Sequence, residues 1–147
     1  TAYNNTVNIQ QSDITLMCDF KPMGVYGDTS VRTILASNLN IDAWFLTIGN
    51  VVREKFGLGS RELYINSTND RTRLAVTYIS AGVTGTSNGY VNGISKVIAS
   101  ETTSATQTGY NTITIGSAKL GTNHTYGYIS NVRIYDKALS AMEVALA

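Results

Sequence analysis

Ten carboxylates, one histidine and one cysteine are the groups of this chain best suited to proton transfer or nucleophilic attack. Cleaving a glycosidic bond needs two carboxylates, about 5 Å apart for retention or ~6.5–9.5 Å for inversion. Alternating positions on one strand would supply such a pair, because residues i and i+2 share a face. No Glu-x-Asp-x-Glu or Glu-x-Asp-x-x-Glu spacing occurs; the acids are scattered from Asp13 to Glu143. Several have plain structural readings: Asp70 sits in a turn, Asp136 follows the last strand, and Glu143 caps a helix. His124 lies in a Gly-Thr-Asn-His-Thr-Tyr run. No nucleophile-elbow pattern supports a Ser-His-Asp constellation around it, so it reads as a solvated loop residue. Cys18 alternates with Ile14, Leu16 and Phe20, which predicts a buried, inert thiol. A lone cysteine also excludes an internal disulfide and a Cys-based zinc site.

Recognition is better provided for than catalysis. A sugar needs an aromatic ring for its C–H face and planar polar groups for its hydroxyls. The chain has nine tyrosines. Tyr26 and Tyr126 stand beside glycines in loop-like runs, and Tyr110 is a further candidate. Trp44, flanked by Phe45 and Leu46, reads as core. Asn88, Asn123 and His124 supply polar groups, and Asp28 lies in the loop Gly24-Val25-Tyr26-Gly27-Asp28-Thr29. The predicted ligand-binding set is Tyr26, Asp28, Asn88, His124 and Tyr126.

The elements that must position these residues are strands. At 147 residues the chain is one domain with room for a real core. Only 14% of it is charged and the net charge is +1, so Thr, Ser and Asn must build the polar surface. That balance leaves no electrostatic footprint for nucleic acid and no polybasic membrane patch. No apolar run reaches the ~18 residues that span a bilayer. Strands are expected at 6–9, 13–21, 31–36, 43–48, 51–56, 62–65, 73–79, 89–92, 94–99, 111–115 and 127–136. Asn92-Gly93 is a two-residue hairpin turn. The Thr/Ser-rich stretch 100–109 reads as an exposed loop. Ser140 and Glu143 form a capping box ahead of a short C-terminal helical turn. About ten or eleven strands with no βαβ rhythm predict two antiparallel sheets packed face to face.

Four segments then line up in a familiar order. Asp13 to Pro22, Arg73 to Tyr78, Gly89-Tyr90-Val91-Asn92-Gly93, and Ile113 to Gly116 followed by Gly127 to Glu143 resemble the laminin-G-like, concanavalin A-like jelly rolls. Two departures stand out. The opening strand lacks the family's usual Trp, and Thr72-Arg73 replace its Trp-His pair. Tyr90, Ile115 and Ile134 fall on core or hairpin positions of the pattern. The resemblance implies an all-β jelly-roll sandwich over residues 1–147, one module of a larger protein.

For function, the resemblance implies a non-catalytic lectin-like module recognising a carbohydrate or cell-surface receptor. The alternatives are a phage or other viral structural domain, such as a tail, fibre or capsid decoration protein, and, behind it, a glycoside-acting enzyme. Partners are then a glycan or receptor and other virion or adhesin domains, with no nucleic acid and no membrane insertion. The setting is extracellular or a virion surface. Calcium is the family's usual ion; Asp28 and Asp136 are the carboxylates offered for it.

Overall fold

The computed structural model describes residues 13–23, 30–37, 43–48, 51–56, 59–65, 70–81, 84–102, 113–117 and 124–147. The strand expected at 6–9 and the side chains of Trp44 and Tyr110 lie outside what is described. Ten strands and one helix appear among the described residues: β1 (Ile14–Pro22), β2 (Val31–Ser37), β3 (Ala43–Ile48), β4 (Val51–Phe56), β5 (Gly59–Ile65), β6 (Thr72–Ala81), β7 (Thr84–Val91), β8 (Ile94–Thr102), β9 (Ile113–Ile115), β10 (Gly127–Tyr135) and α1 (Ala141–Leu146). They form two five-stranded sheets, ordered β10-β1-β6-β7-β8 and β5-β4-β3-β2-β9. Every pairing within them is antiparallel, and the result is the jelly-roll sandwich the sequence predicts.

The alternation in β1 explains the core. Ile14, Leu16, Cys18 and Phe20 point inward with Leu74, Val76, Tyr78 and Val91, and meet Ile34, Leu35, Val52 and Leu63 of the other sheet. Each large side chain buried there stabilises the fold by about 1.5–3 kcal/mol. Burial raises the Cys18 thiol pKa far above its usual value, aided by neighbouring Asp19. The thiol is therefore protonated and unreactive, as expected.

The opposite face of β1 is buried too. Met17 joins Ala75, Tyr90, Leu139 and Val144 in a second apolar cluster beneath the C-terminal helix. Thr15, fully buried, ties the approach to that helix onto the strand. Its Oγ1 donates to the Lys137 carbonyl at 2.8 Å and accepts from the Leu139 amide at 2.8 Å. The capping box forms as predicted: the Glu143 amide donates to Ser140 Oγ, and the Ser140 amide donates to Glu143 Oε2.

Three expectations change. Strand β7 begins at Thr84 rather than Gly89, and β8 runs to Thr102, so residues 100–102 are ladder rather than loop. Polar side chains hide a strand whose backbone is fully paired. Ile115 is 39% exposed rather than core, since β9 is a three-residue edge strand. The Asn92-Gly93 turn is as expected, with φ of 51° and 78°. Gly127 meets a different demand. A Cβ there would lie 2.6 Å from the Lys21 carbonyl oxygen and 2.8 Å from the Phe20 ring.

Candidate functional site

The outer face of the β10-β1-β6 region carries the most concentrated chemistry. From His124 to Ser130, exposed residues alternate with half-buried ones. His124, Tyr126, Tyr128 and Ser130 are outward, while Ile129 packs on the core. Tyr126 and Tyr128 are 62% and 63% exposed. Tyr128 lies near the start of β10, Tyr126 just before it and His124 two residues earlier, where the chain bridges Thr33 of the other sheet, so three ring-bearing residues follow one another in a row along this rim.

The row is anchored by backbone bonds. Thr33 bridges His124, the Thr125 amide donates to the Gly116 carbonyl, and the Met23 amide donates to the Tyr126 carbonyl. The Arg32 guanidinium stands 5.4 Å from the centre of the Tyr126 ring, a cation–π distance. The Tyr126 ring nevertheless remains 62% exposed.

Ser130 leads into a charged cluster. On the neighbouring strand Lys21 pairs with Tyr128 and Asp19 with Ser130, so Asp19 shares the outer face of the row. Asp19 Oδ2 accepts from Arg71 Nη2 at 2.6 Å and from Asn131 Nδ2 at 2.7 Å. Arg73 Nε lies 3.7 Å from Oδ1. Arg71 also donates to Ser130 Oγ at 2.8 Å. A register shift between Met17 and Asp19, with Asn131 at a φ of 51°, brings the Asn131 amide to the carboxylate.

The Asp19 side chain is only 10% exposed, against 55% for Arg71 and 39% for Arg73. A carboxylate so buried must be paired, and here two guanidiniums and an amide pair it. Beside it opens a groove of about 350 Å³ lined by Asp19, Arg71, Arg73 and Asn92. Asn92 is fixed reciprocally: its Oδ1 accepts from the Arg73 amide, and its own amide donates to the Arg73 carbonyl.

The predicted site residues divide. His124 and Tyr126 fall together on the row. Tyr26 and Asp28 lie outside the described residues. Asn88 is not in a loop: it sits within β7, three strands from β10, or about 14 Å across the sheet. Its side chain donates to Tyr90 Oη at 2.7 Å and accepts from Ser95 Oγ at 2.9 Å. Asp136 is exposed just past Tyr135, at the end of β10 remote from Tyr126. Among the described residues no three His, Cys, Asp or Glu come together as metal ligands.

Sequence reasoning missed Tyr128, Arg32, Asp19, Arg71 and Arg73. The His124-x-Tyr126-x-Tyr128 alternation was readable, but it straddles the expected start of a strand. The Asp19 cluster had no linear signal, since its members come from three separate segments. One motif was also passed over. Gly85-Thr86-Ser87-Asn88-Gly89 has the spacing of a nucleophile elbow, which requires a sharp turn from strand to helix. Here Ser87 is fully buried in mid-strand, paired with Tyr78 and Ala99, so the motif is ladder.

A laminin-G family model, described as the concanavalin A-like lectin/glucanases superfamily, matches residues 2–145. No curated protein matches the chain. Among solved structures, a mutant Trypanosoma rangeli sialidase displaying trans-sialidase activity superposes with a TM-score of 0.69 at 15% identity, over 92% of this chain and 22% of that one. The binding domain of botulinum neurotoxin DC, in complex with rat synaptotagmin II, gives 0.69 at 15% identity, covering 95% and 36%. Botulinum neurotoxin type C, whose cell entry depends on two ganglioside molecules, gives 0.69 at 15% identity, covering 95% and 35%. The chain thus spans between about a fifth and two fifths of these proteins, and the likeness at this identity is one of fold.

Proposed function

The chain belongs to the concanavalin A-like lectin/glucanase superfamily, and from that premise we propose that it is a non-catalytic module that binds a carbohydrate or a glycan-bearing surface receptor. The carrying observation is the ring row His124, Tyr126 and Tyr128, exposed along the chain that leads into edge strand β10, with Arg32 beside Tyr126. Three exposed rings in succession match a chain of sugars better than a compact metabolite. Ganglioside and synaptotagmin binding by similarly folded toxin domains supports a receptor-directed reading. The one deeply buried described carboxylate, Asp19, is engaged by two arginines and an asparagine. That pairing suits a structural and positioning role, not a glycosidase acid. A module of this kind works outside the cell or at a virion surface.

Binding to a glycan array and to cell-wall polysaccharides, with Tyr126→Ala and Tyr128→Ala alongside, tests the reading. We expect either variant to weaken binding by about thirtyfold or more, since truncating an aromatic hot-spot residue costs roughly 2 kcal/mol or more. Both should melt close to the parent. A protein that ignores all glycans and assembles into a defined oligomer would instead establish the virion-assembly role.

A further inference from the structure

We infer that the groove beside Asp19 is an anion subsite, and that the module's glycan is acidic, carrying a carboxylate or sulfate within reach of Arg71 and Arg73. The inference rests on the proposed glycan-binding role, whose ring row it extends.

The charge balance is the first argument. Arg71 and Arg73 meet one carboxylate, so the groove wall carries a net positive charge while Asp19 is already satisfied. The geometry is the second. Asp19 accepts Arg71 through a single nitrogen, Nη2, and Arg73 only approaches at 3.7 Å. Neither guanidinium is spent in a two-pronged pair with it, and a guanidinium has five N–H donors. Both remain substantially exposed toward a groove of about 350 Å³.

Rigidity is the third. Asp19 and Ser130 hold Arg71, and the Asn92 turn locks the Arg73 backbone on both its polar groups. The donors are thus held in place before a ligand arrives, which lowers the cost of binding. Continuity is the last: Tyr128 and Ser130 are two apart on β10, and Ser130 touches Arg71. A sugar stacked on Tyr128 therefore places its neighbour at the groove. Planar guanidiniums favour carboxylate and sulfate over neutral hydroxyls because charge-assisted bonds are about twice as strong.

The test compares three probes on the intact chain by calorimetry: a neutral cello-oligosaccharide, an oligogalacturonate, and a heparin oligosaccharide of similar length. We expect one acidic probe to bind at least about tenfold tighter than the neutral one, an advantage lost in Arg73→Gln and Arg71→Gln. Oligogalacturonate carries carboxylates alone and heparin both groups, so tight binding of both probes points to carboxylate and of heparin alone to sulfate. Lys96→Gln, which removes the same charge from the exposed β8 surface, should keep the preference.

Because either arginine variant leaves Asp19 less well paired, amide shifts at Arg73 and Asn92 on adding probe to the parent provide a second readout. Equal affinity for neutral and acidic probes, or shifts that avoid Arg73 and Asn92, overturns the inference and leaves the ring row standing. Acidic binding unaffected by Tyr126→Ala and Tyr128→Ala would overturn the ring-row reading and keep the anion subsite.

Discussion

Two halves of one sheet face, built from the same strands, have opposite fates. Toward the start of β1 and the end of β10, Thr15, Met17, Ala75 and Tyr90 lie beneath Leu139 and Val144. Toward the other end, Arg71, Arg73, Tyr128 and Tyr126 lie open around the buried Asp19. The same strands run through both, with β10 slipping register against β1 at Asn131 between them. What differs is the cover: α1 is only six residues, so it shields one half and stops. The covered half is stability; the open half is surface available for recognition.

Substitutions can break this contrast or sharpen it. The largest effect belongs under the cover. Leu139→Ala should cost about 2–5 kcal/mol, toward the low end because the cluster is small, read as a fall in denaturation midpoint. Thr15→Val should cost about 1–3 kcal/mol, since it strands the Leu139 amide and Lys137 carbonyl, and amide exchange should quicken at Leu139 first. If both variants melt like the parent, the helix is not a lid and the contrast fails.

A smaller effect is set by pH. Hydrogen bonds from Lys137, at 2.7 Å, and from Ser140 hold the Glu143 carboxyl at about 2, below its usual 4.5. A depressed acid stabilises above its unfolded value. The capping contribution is therefore complete above pH 4.5 and is lost as pH falls toward 2. Amide protection in α1 should fade over that window, and Glu143→Gln should flatten the dependence. Smallest of all is the stability cost in the open half. Tyr128→Ala should shift the midpoint by no more than about 0.5 kcal/mol, and a larger loss would make Tyr128 part of the fold's support.

The sequence carried the architecture further than the site. Ile14, Leu16, Cys18 and Phe20 announced their inward face, Asn92-Gly93 its turn, and Ser140 with Glu143 its cap, because each signal is local and repeats at the period of its element. Arg73 was visible as a departure from the family's Trp-His pair, yet nothing nearby marked it as an ion-pair neighbour of Asp19, fifty-four positions earlier. Asn88 looked like a loop amide because Thr84 to Asn88 is polar, although the ladder with β6 and β8 fixes it in a strand.

By itself, then, the chain determined two packed sheets, a buried thiol and a capped C-terminal turn, all products of short-range pattern and burial. Only the tertiary structure decided that Tyr126, Tyr128, Arg71 and Arg73 gather on one open face around the buried Asp19. That face depends on strand order, a register shift at Asn131 and the limited reach of one short helix. Those are long-range pairings, which no window along the sequence contains.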